Sequence, residues 1–324
     1  MPKLNPTEQL TSIAVGHDDG PMKTLRTPDD RFSNLPDFPF EPNYGEIPDL
    51  DGGTLRVHYL DEGPADGPVV LLMHGEPSWS FLYRHMIPVL ADAGFRCVAP
   101  DLVGLGRSDK PTEMSDYTYA RHVAWMSALL FDQLDLHGIT FFGQDWGGLI
   151  GLRLVASQPD RYDRVVIANT GMPDGNQQPS EAFLAWQKFS QESPEFPIGN
   201  LINAACVREL STDEIAAYAA PFPDDSYTAC ARIFPSLVPT SPDDPEAPAN
   251  LAAWDVLLEF DKPFLCAFSD GDPVTAGGER AFLGRVPGTN GQPHTTIQGA
   301  GHFLQEDKGP EIARLIVDFI ESTR

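Results

Sequence analysis

Short apolar runs alternate with longer amphipathic segments along the first half of the chain. Short continuous apolar runs are typical of strands buried on both faces of a parallel sheet, whereas apolar residues at helical spacing predict helices. Strands that alternate with helices form βαβ units, so we predict an α/β fold with a mostly parallel sheet flanked by helices. The predicted strands are 55–60, 69–73, 95–99, 139–142 and 165–168, and the predicted helices are 80–90, 118–134 and 149–158.

The alternation stops near residue 171 and resumes much later. Strands are predicted again at 264–268 and 294–297, and a final helix is predicted from about Pro310. The intervening segment contains many prolines, short helical patterns and few strand signals, which favours an inserted helical cap over the carboxyl edge of the sheet. We therefore predict a first core part, a cap and a second core part, at residues 1–171, 172–250 and 251–324.

A glycine-rich turn connects the predicted strand 139–142 to the helix that follows. Gly143-x-Asp145-x-Gly147 has the spacing of the nucleophile elbow of α/β-hydrolases, with an aspartate in place of the usual serine. Glycines allow the sharp turn, and the N-terminus of the next helix favours a negative charge. An aspartate, with an ordinary pKa of about 3.9, needs no base to activate it. Asp145 is therefore the predicted nucleophile.

A second carboxylate and a histidine follow the later predicted strands. Asp272 follows strand 264–268 and is preferred as the catalytic acid over Asp270, which we interpret as a turn former. Asn169 follows an earlier strand, but an amide cannot act as the acid. His302 lies in a small-residue loop after the last predicted strand. The resulting order of nucleophile, acid and histidine is that of a hydrolase triad.

A carboxylate nucleophile favours attack on a saturated carbon, because the product is a stable alkyl ester and a displaced leaving group. His302 would then take a proton from the water that attacks the ester, while Asp272 orients the imidazole. The backbone N–H groups of Glu76 and Trp146 are the predicted oxyanion donors.

The leaving group distinguishes two enzyme classes. A halide leaves as an anion and suits the donor-only indole N–H of Trp146, next to the nucleophile, and of Trp186 in the predicted cap. Trp186 has the alternative role of a buried aromatic in the cap core. An epoxide oxygen needs an acid, and the cap tyrosines Tyr218 and Tyr227 leave this alternative open.

Five segments of the chain resemble haloalkane dehalogenases, and the resemblance extends over nearly the whole length. It implies an α/β-hydrolase fold with about eight strands, Asp145, Asp272 and His302 as the triad, and halide binding by the two tryptophans. Epoxide hydrolases share two of the motifs but do not usually have glutamate at Glu76. A non-catalytic receptor with a hydrolase pocket is a third alternative. The segments are Arg26–Phe32, His74–Trp79, Gln144–Gly147, Ala219–Asp224 and Gly301–Phe303.

Phenylalanines of the predicted cap suit a small apolar halogenated substrate. They are expected to line a pocket between cap and core, although they would serve equally as the small core of the cap itself. The expected ligands are such a substrate, water and a halide ion. The phenylalanines are Phe183, Phe189, Phe196 and Phe222.

The composition limits the classes of partner and cofactor that we expect for the protein. The 324-residue chain has a formal net charge of −25, which argues against binding to nucleic acid. No apolar stretch is long enough to cross a bilayer. The four cysteines are scattered without a CxxC motif or a Cys/His cluster, so we expect no metal and no cofactor. We expect a monomer.

The N-terminal segment carries no recognisable targeting signal. Residues 1–20 contain only the short apolar run Ile13–Val15, which is too short for a signal peptide. We therefore expect a cytoplasmic protein. Residues 1–53 are predicted to form an N-terminal arm, extended over 21–53, whose aromatic side chains pack on the core.

Overall fold

The computed structural model describes residues 20–324 of the protein. Within them, eight strands form one sheet in the order β10-β9-β8-β7-β4-β5-β3-β2, and two short strands pair separately. The pairs from β10 to β5 are parallel, whereas β3 pairs antiparallel with both β5 and β2. The strands of the described residues are β1 (Thr24–Leu25), β2 (Asn43–Pro48), β3 (Thr54–Glu62), β4 (Val69–Met73), β5 (Arg96–Pro100), β6 (Lys110–Pro111), β7 (Ile139–Gln144), β8 (Tyr162–Ala168), β9 (Phe264–Ser269) and β10 (Thr295–Ile297).

Helices cover the sheet and fill the chain between β8 and β9. Helix α1 packs against α9, and α2 packs against α3. Five helices, α4 to α8, lie between the last strand of the first core part and the first strand of the second. The α-helices of the described residues are α1 (Ile87–Asp92), α2 (Tyr119–Ser127), α3 (Trp146–Ser157), α4 (Glu181–Glu192), α5 (Ile198–Ala204), α6 (Thr212–Ala219), α7 (Ala229–Ile233), α8 (Ala247–Leu257) and α9 (Leu304–Ser322).

The prediction of a mostly parallel sheet of about eight strands is confirmed. Every residue of β4 and of β7 is buried, as their continuous apolar sequences predicted. The predicted helix 118–134 begins where Thr118 accepts the N–H of Arg121 as an N-cap, and it ends in a π-helical segment, Ala128–Gln133.

Part of the segment predicted as an extended N-terminal arm is a strand that the sequence analysis did not predict. Residues Asn43–Pro48 form β2, which pairs with β3 at the edge of the sheet. Gly45 and Pro48 conceal this strand in the sequence, because both residue types are uncommon in strand interiors and Pro is tolerated at an edge. The first 19 residues, to which the absence of a targeting signal refers, lie outside the described part of the chain.

The last helix begins earlier than predicted. Helix α9 starts at Leu304, and Pro310 lies inside it rather than at its beginning. Lys308, with φ −140° and ψ 26°, departs from helical geometry and marks a kink there. Because proline cannot supply the N–H of a helical hydrogen bond, the sequence pattern revealed only the segment after the kink.

A buried ionic network connects the core to the inserted helices. The side chains of Arg84 and Glu306, both fully buried, form an ion pair within the core. From α6, Glu214 accepts a hydrogen bond of 2.7 Å from Arg84, and the hydroxyl of Tyr218 donates to Glu306. Arg208 pairs with both glutamates. Buried charges persist only when they are paired, so these contacts fix α6 relative to the core.

We expect Glu306→Gln to lower the free energy of unfolding by about 3 kcal/mol, because it removes the fully buried carboxylate that pairs with the guanidinium of Arg84. Urea denaturation at neutral pH measures the change. Lys188→Ala is the matched control, since its pair with Glu192 is exposed and should contribute less than about 0.5 kcal/mol. Equal stabilities for the two variants would contradict a structural role for the network.

Candidate active site

The predicted nucleophile lies in a strained turn between β7 and α3. Asp145 has φ 51° and ψ −130°, a conformation that non-glycine residues rarely adopt. A Cβ at Gly147 would overlap the carbonyl oxygen of Met73, so the turn requires glycine there. The backbone N–H of Asp145 donates to the Asn169 carbonyl at 3.0 Å, which fixes the strained residue. The carboxylate therefore stands at the N-terminus of α3, where the helix dipole favours negative charge.

One of the two predicted oxyanion donors contacts the Asp145 carboxylate. The backbone N–H of Glu76 donates to Oδ1 of Asp145 at 2.8 Å. A Cβ at Gly75 would overlap this carboxylate, which explains the glycine before Glu76. Trp146 is the first residue of α3, so its N–H has no acceptor within the helix.

The predicted base lies between two carboxylates. His302 Nδ1 lies 3.0 Å from Oδ2 of Asp272, and His302 Nε2 lies 3.5 Å from Oδ2 of Asp145. Asp272 is itself fixed, because Oδ1 accepts the backbone N–H of Val274 at 2.9 Å and Oδ2 accepts the hydroxyl of Thr275. Hydrogen bonding to Asp272 places a proton on Nδ1 of the imidazole and leaves Nε2 facing the nucleophile.

The two carboxylates set the charge of the imidazole. Burial lowers the pKa of His302, but the charge of Asp272 and the hydrogen bonds to Asp145 and Asp272 raise it to about 10. Burial also raises the pKa of Asp272, but the charge and hydrogen bond of His302 lower it to about 2. His302 is therefore protonated at neutral pH before any reaction. Removing the charge of Asp145 lowers the His302 pKa, because one of its two anionic neighbours is lost.

Two amide side chains that the sequence analysis did not assign to the site hold the base loop. Nε2 of Gln144 lies 3.1 Å from His302 Nε2 and 3.2 Å from the His302 carbonyl oxygen. Asn169 donates to the carbonyl oxygens of Gly301 and His302, at 3.0 Å each. Gln144 is the last residue of β7, and Asn169 directly follows β8. The sequence signal for both residues was their position where a strand ends. They were not predicted as site residues because amide side chains do no acid–base chemistry.

A cavity of about 840 Å³ opens above the nucleophile, between the core and the inserted helices. The indole of Trp186 reaches it from α4, and its Nε1–H donates to Oε2 of Glu76 at 3.2 Å. Apolar residues dominate the rest of the wall, as a halogenated alkane requires. The predicted site residues that line it are Glu76, Asp145, Trp146, Phe183, Trp186 and His302.

The structure places three of the four predicted pocket phenylalanines away from the cavity wall. Phe189 is 36% exposed and stacks on Trp186, with ring centroids 5.8 Å apart. It is six residues beyond Phe183, a rotation of about 120° around α4, so the two rings face different sides. Phe222 and Phe196 pack against the core cluster instead of lining the cavity. The alternative role as packing residues of the inserted helices fits these three.

Neither cap tyrosine presents an acid to the cavity. The hydroxyl of Tyr218 is buried and donates to Glu306 in the ionic network. Tyr227, in a short turn before α7, is absent from the cavity wall among the described residues. The acid that opening of an epoxide requires is therefore missing at the positions considered for it.

Comparison with known proteins identifies the family. The alpha/beta hydrolase fold model matches residues 68–309. A haloalkane dehalogenase from Psychrobacter cryohalolentis is 58% identical over 299 residues, which cover 92% of this chain and 98% of the relative. The chain belongs to the haloalkane dehalogenase family. The family relative from Mycolicibacterium paratuberculosis is 50% identical over 298 residues, covering 92% of this chain and 98% of its own.

A solved structure supports the same assignment. The tetrameric haloalkane dehalogenase DpaA from Paraglaciecola agarilytica aligns with a TM-score of 0.82 and 39% identity, covering 91% of this chain and 97% of its own. The predicted α/β-hydrolase fold and haloalkane dehalogenase function are thus confirmed, and the epoxide hydrolase and receptor alternatives are set aside. The dehalogenase is a hydrolase that acts on carbon–halide bonds, with a halogenated substrate and water. Among the helices of residues 20–324, none has the length and apolar character needed to span a membrane.

We expect Asp145→Asn to lower the pKa of His302, because the neutral amide no longer stabilises the imidazolium. The titration of the His302 ring, followed by NMR, measures the shift. Asp270→Asn is the control, since Asp270 lies near the same loop but bonds only the backbone of Gly299 and Ala300. An unchanged midpoint in Asp145→Asn would show that the nucleophile does not govern the base.

Proposed function

We propose that this dehalogenase converts a haloalkane to a primary alcohol through a covalent alkyl ester on Asp145. The proposal rests on the different contacts that the two carboxylate oxygens of this residue make. Oδ1 accepts the Glu76 N–H at 2.8 Å, whereas Oδ2 lies 3.5 Å from Nε2 of His302. One oxygen is thus already in the oxyanion site while the other remains available as the nucleophile.

In the first step, Oδ2 of Asp145 forms a bond to the halogenated carbon, and the carbon–halogen bond breaks with both electrons leaving on the halide. No proton is transferred, so no base is needed. The indole N–H groups of Trp146 and Trp186 stabilise the departing anion, and the apolar cavity makes these donors more effective than they would be in water.

In the second step, water attacks the carbonyl carbon of the ester, and His302 takes a proton from it through Nε2. Negative charge develops on Oδ1, within reach of the N–H groups of Glu76 and Trp146. The bond to the alkyl oxygen then breaks, the alcohol leaves, and the Asp145 carboxylate is restored. Each turnover releases one halide ion and one proton.

The order of the two steps follows from the charge of Asp145. Before alkylation, the carboxylate keeps His302 protonated, with a pKa raised to about 10 despite its burial. Esterification neutralises the carboxylate, so the pKa of His302 falls at the stage that requires a base. Asp272 retains its charge throughout and stabilises the imidazolium that forms during hydrolysis.

The domain assignment is part of the same proposal. Helices α4 to α7, within residues 172–250, would act as the cap, with residues 1–171 and 251–324 as the two core parts. Support comes from the cavity, whose wall combines Phe183 and Trp186 of α4 with core residues such as Asp145.

We expect His302→Phe to stop the reaction at the ester. Incubation with 1-bromobutane should release one equivalent of bromide and increase the intact mass by one butyl group, located on Asp145 by peptide mapping. His302→Gln tests the same step with a polar side chain, and Asp145→Asn is the control that should form no adduct. Stoichiometric bromide release from His302→Phe with an unmodified mass would contradict the covalent mechanism.

We further propose that the dehalogenase is a monomer. The large exposed apolar side chains of the described residues are scattered over several elements, from Leu50 and Met114 to Leu258, and do not mark one clear interface. The net charge of −25 also opposes self-association.

Light scattering after size exclusion should give a mass near 35.5 kDa, that of one chain. The measurement should be made both at low salt and at physiological salt, because screening weakens charge repulsion. A mass four times larger would indicate an assembly like the tetramer described for DpaA.

A further inference from the structure

The side chain of Glu76 occupies a position that its backbone role does not explain. It is 4% exposed and lies in the cavity wall. Its Oε2 accepts the indole N–H of Trp186, while Oε1 is buried without a hydrogen-bond partner in residues 20–324. Acidic side chains are seldom buried in this way unless a cation pairs with them.

The groups around Glu76 do not favour a negative charge on it. Burial, and then the charge of Asp145, raise the pKa of Glu76 well above its usual value, against smaller opposing effects of Trp186 and His302. His302 is already paired with Asp272 and Asp145. The thiol of Cys230, the remaining titratable neighbour, is kept neutral by burial, which raises its own pKa. Burial and the charge of Asp145 therefore both favour the neutral form of the Glu76 carboxyl group.

A neutral carboxyl group at Glu76 is compatible with halide binding, whereas a carboxylate would oppose it. A carboxylate would repel the arriving anion and compete with it for the N–H of Trp186. The carbonyl oxygen of a neutral acid is a weaker acceptor, because hydrogen bonds to ionised groups are roughly twice as strong as neutral ones. The 3.2 Å bond to Oε2 of Glu76 can therefore orient the indole without blocking halide.

The hydrogen bond between Trp186 and Glu76 also connects the inserted helices to the core. Trp186 belongs to α4, where its ring stacks on Phe189 and Phe196 at centroid distances of 5.8 and 5.7 Å. Those stacking contacts fix the plane of the ring but provide no acceptor for Nε1. Glu76 follows β4 in the core and supplies the polar contact that sets the direction of this N–H.

We propose that Glu76 acts as a neutral carboxylic acid that positions the indole of Trp186 for the departing halide. It is a positioning residue in this role, since its side chain acts through Trp186, while its backbone N–H serves the oxyanion. The inference rests on the halide-binding role of Trp186 in the proposed mechanism. It goes beyond that mechanism by assigning the side chain of Glu76 a function and a protonation state.

Two replacements of Glu76 separate charge from hydrogen bonding. Glu76→Gln keeps a carbonyl acceptor without the acid, and Glu76→Met keeps the length but removes the acceptor. Bromide dissociation constants, from quenching of tryptophan fluorescence, should be within about threefold of wild type for Glu76→Gln at every pH from about 6 to 9. Loss of one hydrogen bond should weaken bromide binding about tenfold in Glu76→Met.

Single-turnover kinetics give a readout that a merely structural role would not produce. Alkylation of Asp145 by 1-bromobutane should slow about tenfold in Glu76→Met, because the indole is no longer aimed. Hydrolysis of the ester should stay within about twofold of wild type, since the Glu76 backbone N–H is unchanged. Alkylation should be faster in Glu76→Gln than in Glu76→Met, because only the glutamine keeps an acceptor for the indole N–H.

Three results would overturn the inference. Bromide binding more than tenfold tighter in Glu76→Gln than in wild type would mean that Glu76 is ionised. Wild-type bromide binding in Glu76→Met would remove the positioning role. Equal slowing of both chemical steps in Glu76→Met would indicate general distortion of the oxyanion loop.

Trp186→Phe distinguishes failure of this inference from failure of the proposed mechanism. If Trp186→Phe binds bromide as tightly as wild type, the halide role of Trp186 fails and the Glu76 inference fails with it. If bromide binding weakens in Trp186→Phe but not in Glu76→Met, only the inference fails. The Glu76→Gln comparison decides the protonation state even if Glu76→Met does not fold.

Discussion

The electrostatic balance around Asp145 is the interaction on which the rest of the site depends. Its carboxylate lies at a helix N-terminus, accepts one backbone N–H and faces an imidazole that a second carboxylate holds from behind. This arrangement tolerates a buried negative charge before the reaction and a positive imidazole at the same time. In the proposed mechanism, alkylation removes the negative charge, and the same geometry then allows His302 to act as a base. The contacts of Asp145, His302 and Asp272 thus serve both alkylation, which needs no base, and ester hydrolysis, which needs one.

The parallel sheet makes this balance possible. The proposed nucleophile, acid and base follow β7, β9 and β10, whose carboxyl ends meet at one edge. The inserted helices close that edge into an apolar cavity and bring Trp186 to it. Glu76 contacts both the core and the inserted helices. Its backbone N–H donates to Asp145, and its side chain accepts the indole N–H of Trp186. The buried ionic network at Glu306 fixes the inserted helices to the core from the other side of the base.

Local sequence predicted those parts of the fold that local physics controls. The strands β4, β7 and β9 were visible because a strand covered on both faces must be apolar throughout. The elbow was visible because only glycine fits at Gly147. β2 was missed, because an edge strand needs no such pattern and its stability comes from pairing with β3. The start of α9 was missed, because Pro310 obscured a kinked helix whose first turn is held by tertiary contacts.

The sequence alone determined the class of chemistry, since an aspartate at the elbow selects a reaction at saturated carbon, and the motifs around it selected the dehalogenase family. Distances and charges between residues far apart in the chain were decided only by the tertiary structure. It placed Gln144 and Asn169 on the base loop, turned Phe189 away from the cavity, and brought the indole of Trp186 to the carboxyl group of Glu76, 110 residues away. Sequence patterns record whether a side chain is buried, but the neighbours that set its charge and orientation are known only once the chain has folded.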